Sequence, residues 1–116
     1  MRRANAAFYN KAFAGNSAVK VPHIDPKNRS IYNLYIISVE NRDEVLAHLR
    51  EKEIGCEIYY PLSLHMQECF KALGYKEGDF PNSEYAAKHT IALPIYPELE
   101  EPQLAYVAEA VLETVK

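Results

Sequence analysis

The pattern of apolar and polar positions along the chain predicts three strands. The strongest strand signal is residues 31–39, a nearly continuous run of β-branched and aromatic residues that is typical of a central strand covered on both faces. Shorter runs at residues 56–60 and 90–94 predict two further strands. Pro61 ends the first of these, because proline cannot donate to a strand ladder.

Three longer stretches have the composition or spacing of helices. Residues 2–13 are helical in composition, and residues 101–116 carry apolar side chains at helical spacing, so that one stripe faces the core. In residues 41–54, Asn41 and Glu44 form a capping pair in which we expect the Asn41 side-chain oxygen to accept an early helix N–H.

The order of these elements predicts a small α+β fold. Two short helices are expected between the second and third strands, the later one capped by Asn82 or Ser83. We predict a three-stranded, mainly antiparallel sheet covered by helices, with residues 31–39 central. The helices at residues 41–54 and 101–116 should pack on one face, and the length fits a single domain over residues 1–116.

Charge and hydropathy exclude two classes of partner. The formal net charge is −3, and Arg2 and Arg3 form the only adjacent basic pair, so nothing predicts a nucleic-acid site. No apolar run approaches the roughly 20 residues that span a bilayer, and polar residues interrupt any signal-peptide core near the N-terminus. We expect no membrane association and a cytoplasmic location.

The two cysteines allow two interpretations. In a chain without secretory features, Cys56 and Cys69 are expected to be reduced and buried thiols. Alternatively, His65 and Cys69 are four residues apart and could share a helical face as zinc ligands. That site lacks the second close-spaced pair that four-ligand structural sites normally have.

The segment 59–65 is the candidate site in this sequence. It combines Tyr59 and Tyr60 at a strand end, a proline, and His65 at the start of a helix, where functional side chains are often displayed. The alternative for His65 is a capping or packed polar residue. The four glycines stand singly, so no Gly-rich phosphate loop is present.

Several short phrases spread over the whole chain resemble one enzyme family. They occur in this order: Arg2-Arg3 through Tyr9-Asn10, Tyr59-Tyr60-Pro61-Leu62-Ser63-Leu64-His65, Leu73-Gly74-Tyr75, Gly78-Asp79-Phe80-Pro81, Glu84, and Leu93-Pro94-Ile95-Tyr96-Pro97-Glu98-Leu99. Together they resemble the C-terminal part of the DegT/StrS family of nucleotide-sugar aminotransferases.

The resemblance implies a pyridoxal-phosphate enzyme that acts as a homodimer. Members have the aspartate-aminotransferase fold and transfer an amino group, usually from glutamate, to a keto-sugar linked to a nucleoside diphosphate. Residues 15–116 then correspond to the C-terminal small domain, and residues 1–14 to the end of a helix that joins two domains. The N-terminal large domain, which holds the cofactor in the family, is absent from this sequence.

The resemblance also assigns roles to individual residues. It implies that His65, and less directly Tyr60, contact the nucleotide-sugar substrate, since imidazole and phenol groups hydrogen-bond to sugar hydroxyls and diphosphate oxygens. No lysine stands in the family's cofactor-binding motif. We therefore expect no catalytic residue, no cofactor-binding residue and no metal ligand in this chain, and no bound pyridoxal phosphate on the chain alone.

Two classes of function remain open at this stage. The first is a domain of an aminotransferase that is inactive without its cofactor domain. The second is an independent small binding or dimerisation module that keeps the fold and has lost the chemistry.

Overall fold

Two antiparallel strands lie at the centre of the fold, and helices cover one of their faces. The computed structural model describes all residues 1–116. Its helices and strands, in chain order, are α1 (Arg2–Ala12), β1 (Tyr35–Ser38), α2 (Arg42–Glu51), α3 (Pro81–His89), β2 (Thr90–Leu93) and α4 (Glu101–Leu112). Two short 3-10 helices, Leu64–Met66 and Glu68–Leu73, lie between α2 and α3. No helix has both the length and the apolarity needed to cross a membrane.

The sheet has two strands rather than the predicted three. β1 and β2 pair with Tyr35 opposite Leu93, and an isolated bridge extends each side of the pair. One bridge joins Lys20 to β1, and the other joins Glu57 to β2. The predicted strand at residues 56–60 is thus a single bridge. Tyr59 and Tyr60, at the end of this segment, are both exposed and do not pack in the core as strand residues would.

The predicted central strand at residues 31–39 is also too long. Its first residues are apolar, but Ile31 is 67% exposed and Tyr32 has a φ of 49°. A positive φ takes the backbone out of the extended region, so regular pairing begins only at Tyr35.

The core lies between the sheet and three helices. Tyr35 and Ile37 of β1 and Ile91 and Leu93 of β2 join one buried cluster with side chains of α1, α2 and α4. The cluster includes these helical residues: Ala6, Tyr9, Val45, Leu49, Leu104, Val107, Ala108, Ala110 and Val111. The helices predicted at residues 41–54 and 101–116 therefore pack on the same face, as their apolar stripes predict.

Asn41 precedes α2 but does not cap it as predicted. Its side-chain amide donates to the Glu44 carboxylate at 3.0 Å and to the Thr114 carbonyl at 2.9 Å, and its own oxygen accepts no hydrogen bond. The side chain instead ties the start of α2 to the residues just after α4. Lys116 donates to the same Glu44 carboxylate at 2.7 Å.

Helix α1 is fixed to the sheet by buried polar side chains. The Tyr9 hydroxyl donates to the Pro94 carbonyl at 2.9 Å, and the Asn5 amide donates to the Tyr96 carbonyl at 2.8 Å. The Tyr35 hydroxyl donates to the Asn10 side chain at 2.7 Å. Residues 2–10 and 93–99, which both contribute to the family resemblance, are thus in contact in the structure.

Candidate functional site

His65 lies in the first short 3-10 helix with its ring largely enclosed. Ser63, which precedes the helix, has an extended backbone (φ −58°, ψ 143°) and is itself buried. The His65 side chain is 7% exposed, and its Nε2 atom lies 2.9 Å from Oε1 of Glu84. The two residues are 19 positions apart in the sequence, so the contact is tertiary.

Glu84 holds three parts of this region together. Besides His65, its carboxylate accepts hydrogen bonds from the backbone N–H of Gly78, at 2.8 and 3.0 Å to its two oxygens, and from that of Phe80 at 3.4 Å. Gly78 has a φ of +94°, a conformation that favours glycine. The Glu84 side chain therefore fixes the turn before α3 and the 3-10 helix that carries His65.

The start of α3 differs from the prediction. Phe80 is the N-cap and Pro81 occupies the first helical turn, so neither Asn82 nor Ser83 caps the helix. Proline suits this position because it has no N–H to leave unpaired. The Glu84 carboxylate reaches back to the Phe80 N–H instead.

Glu84 keeps its negative charge in this setting. Burial by itself raises the pKa of the Glu84 carboxyl, but the N–H groups of Gly78 and Phe80 and the ring of His65 together bring that pKa below its ordinary value. An ionised carboxylate is an acceptor only, so each of its neighbours must supply a hydrogen.

An aromatic contact fixes the plane of the His65 ring. The ring centroids of His65 and Phe80 are 4.8 Å apart and tilted by 59°, and Tyr75 meets Phe80 edge-on at 5.0 Å. These three rings, with three aliphatic or aromatic neighbours, line an open apolar cavity of about 230 Å³. Its lining residues are Leu64, His65, Phe70, Leu73, Tyr75 and Phe80.

Tyr60, the second residue predicted to contact substrate, lies apart from this group. It is 70% exposed, and its hydroxyl makes no hydrogen bond within the chain. The structure brings His65 together with Glu84 rather than with Tyr60. Sequence reasoning named Glu84 only as one feature of the family resemblance and assigned it no role in the site, although it stands four residues after Phe80.

The cysteines differ from each other in burial. Cys56 is buried as predicted, whereas Cys69 is exposed, and both are free thiols. The prediction of two buried thiols is therefore wrong for Cys69, whose 3-10 helix has no buried residue. Its sulfur donates to the Gln67 side chain at 3.8 Å, and no group of three or more potential metal ligands occurs in the structure.

The residues of this chain do not fit a pyridoxal-phosphate site. A cofactor lysine needs a pocket that lowers its pKa and holds the phosphate. Seven of the eight lysines are exposed, and the half-buried one, Lys52, is paired with Glu113 at 2.7 Å. We therefore assign no step of cofactor chemistry to this chain.

Comparison with known proteins places these observations in a family. The sequence model of the DegT/DnrJ/EryC1/StrS aminotransferase family matches residues 1–112. The chain is 41% identical over 115 residues to the pleiotropic regulatory protein of Geobacillus stearothermophilus, covering 97% of this chain and 31% of that relative. It is 33% identical over 112 residues to the dTDP-3-amino-3,4,6-trideoxy-alpha-D-glucose transaminase of Streptomyces venezuelae, covering 97% and 30%.

A solved structure extends the likeness to the fold. The crystal structure of S. venezuelae DesV in complex with a ketimine intermediate superposes with a TM-score of 0.92 at 33% identity, over 97% of this chain and 30% of DesV. The chain thus spans about 30% of the length of the relatives it matches. Because the family match covers nearly the whole sequence, the chain belongs to the DegT/DnrJ/EryC1/StrS aminotransferase family.

Proposed function

We propose that this chain is the C-terminal small domain of a pyridoxal-phosphate-dependent aminotransferase that acts on a nucleotide-linked keto-sugar. The observation that carries the proposal is the superposition on DesV, with a TM-score of 0.92 over 97% of the chain. A relative that is 33% identical to this chain is named as a transaminase of a dTDP-linked amino sugar. The amino donor in this proposal is glutamate, and the complete enzyme is a homodimer.

The cofactor belongs to another part of that enzyme. Pyridoxal phosphate, where bound, supplies the group that carries nitrogen between donor and acceptor. The exposed or paired lysines of this chain support a division in which the larger domain holds the cofactor and this domain contributes to the substrate pocket. On this proposal the chain by itself does not transaminate.

His65 and Tyr60 are the proposed substrate contacts. Tyr60 is exposed, and the largely enclosed His65 ring borders the open apolar cavity, so each side chain can be reached from outside the domain. A phenol and an imidazole can each hydrogen-bond to a sugar or diphosphate oxygen. Tyr60→Phe removes only a hydroxyl and tests the weaker of the two assignments.

The proposal is tested by assaying the complete enzyme, this chain joined to its cofactor domain, with glutamate and a panel of nucleotide-linked keto-sugars. Amino transfer to at least one of these keto-sugars, and none to the same sugars without the nucleotide, is the expected result. Transfer only to simple keto acids would contradict the proposed substrate class. Stable folding and partner binding with no transfer would favour the independent module.

A further inference from the structure

The contact between His65 and Glu84 defines which ring nitrogen carries a hydrogen. In a neutral imidazole one nitrogen donates and the other accepts. Because the Glu84 carboxylate only accepts, the Nε2 atom that faces it at 2.9 Å must carry the hydrogen. In the neutral ring, the second nitrogen, Nδ1, then keeps its lone pair.

The Nδ1 atom is available to a ligand. It makes no hydrogen bond to any group of the chain. Four buried side-chain polar atoms of the structure lack a hydrogen-bond partner, and they belong to Arg2, Ser38, Asn41 and Ser63. Because Nδ1 of His65 is not among them, this unpaired atom is not fully buried. The ring therefore has one nitrogen committed to Glu84 and one that is open, in a plane set by the contact with Phe80.

We propose that Glu84 is a positioning residue that holds His65 in the Nε2–H form and so presents Nδ1 to the substrate as a hydrogen-bond acceptor. This inference rests on the proposed function and deepens it by naming the kind of substrate group that His65 contacts. A bare acceptor pairs with a donor, which on a nucleotide sugar is a sugar hydroxyl or a base N–H, and not with an unprotonated diphosphate oxygen.

A structural role alone does not predict this tautomer. Glu84 also binds the N–H groups of Gly78 and Phe80, so its loss affects the turn before α3 whether or not His65 is functional. Glu84→Ala removes the acceptor that faces Nε2, whereas Glu84→Gln keeps one. Oε1, the oxygen that faces Nε2, also accepts from Gly78 and Phe80, so the amide oxygen of the glutamine should take its place and keep the Nε2–H form. The tautomer of His65 reports the positioning role, because a role in the turn alone would not change it.

The first measurement is the tautomer of His65, read from the two ring nitrogen shifts in a ¹⁵N-labelled sample. The wild-type chain and Glu84→Gln should show the hydrogen on Nε2, whereas Glu84→Ala should show a mixture of the two neutral forms. Glu77→Gln is the matched control, since Glu77 is an exposed carboxylate of the same loop that pairs only with Lys88 at 3.7 Å. A wild-type ring with the hydrogen on Nδ1 would overturn the proposal without any variant.

The second measurement is the KM for the nucleotide-linked keto-sugar in the complete enzyme. Glu84→Ala and His65→Ala should each raise it roughly two- to tenfold, the loss expected for one hydrogen bond, and Glu84→Gln should restore the wild-type value. Glu77→Gln should leave it unchanged. Inhibition by the nucleoside diphosphate without its sugar locates the donor: weakened inhibition in His65→Ala indicates the base, and unchanged inhibition indicates the sugar.

The two proposals fail differently. If His65→Ala leaves the sugar KM unchanged, and the wild-type His65 ring is in the Nε2–H form, the substrate contact is refuted and the orientation by Glu84 stands. If His65→Ala raises KM but Glu84→Ala changes neither the tautomer nor KM, the positioning role is refuted and the substrate contact stands.

Discussion

Replacing Tyr9 by Phe tests how strongly α1 is fixed to the sheet. Tyr9 is fully buried, and its hydroxyl donates to the Pro94 carbonyl at 2.9 Å. The substitution keeps the ring, whose contacts with Tyr35 at 5.0 Å and Phe13 at 6.1 Å remain. Only the hydrogen bond is removed, so the experiment isolates one polar link between residues 85 positions apart.

The expected cost follows from the surroundings of the two atoms. A hydrogen bond contributes a net 0.5–1.5 kcal/mol, roughly, and an acceptor left unpaired in the interior adds to the loss. Because Pro94 is half-buried, water can partly replace the lost donor. We therefore expect Tyr9→Phe to lower the free energy of unfolding by about 1–2 kcal/mol.

Equilibrium unfolding in urea measures this change. With a slope of roughly 1–3 kcal/mol per molar urea, the midpoint should fall by about 0.3–2 M at an unchanged slope. Tyr59→Phe is the control, because Tyr59 is exposed and its hydroxyl makes no hydrogen bond, so it should change stability by less than about 0.5 kcal/mol. Equal midpoints for the two variants would refute the reasoning.

Three further predictions concern the core, the cofactor and the surface. Val111→Ala should lower the free energy of unfolding by about 1–3 kcal/mol, because Val111 is fully buried; a smaller loss in urea unfolding would contradict its packing role. The chain mixed with pyridoxal phosphate and desalted should retain no cofactor absorbance, and colour reducible by borohydride onto one lysine would contradict this. The apolar side chains exposed across residues 59–80 should promote self-association in sedimentation and binding of a hydrophobic dye. A strict monomer at high concentration that binds no dye would count against this.

The helical part of the fold was predictable because its signal is periodic and local. The stripes that include Val45 and Leu49 in α2 and Leu104 and Val111 in α4 follow from the spacing of apolar residues, and all four side chains are buried. Phe13 is an exception, because it was expected to add to the exposed apolar surface and is instead buried beside the ring of Tyr9.

The strands were harder to predict because apolar content does not show which residues pair. Residues 31–34 have the composition of a strand, yet Tyr32 has a left-handed backbone and Ile31 faces solvent. Residues 56–60 contain alternating apolar positions, but only Glu57 finds a partner on β2. Pairing depends on which neighbouring segment is present, and that information is not local.

The sequence located a candidate site at His65 but did not predict the contacts of that residue. His65 was identified from its position after a strand end and from the family phrase. Its partner Glu84 belongs to another phrase, and nothing in the spacing of the two residues indicates that they meet. The caps failed for a related reason: Asn41 turns its amide toward the Thr114 carbonyl, and Glu84 rather than Asn82 or Ser83 binds the N–H at the start of α3.

The most direct test of the proposed substrate pocket compares the two half-reactions in His65→Ala of the complete enzyme. One is transfer from glutamate to the cofactor, and the other is transfer from the loaded cofactor to the nucleotide-linked keto-sugar. Both are measured in one variant, so a general loss of folded enzyme lowers both and cancels from their ratio. Our account predicts that the sugar half-reaction loses roughly two- to tenfold in kcat/KM while the glutamate half-reaction is unchanged. An unchanged ratio would contradict it.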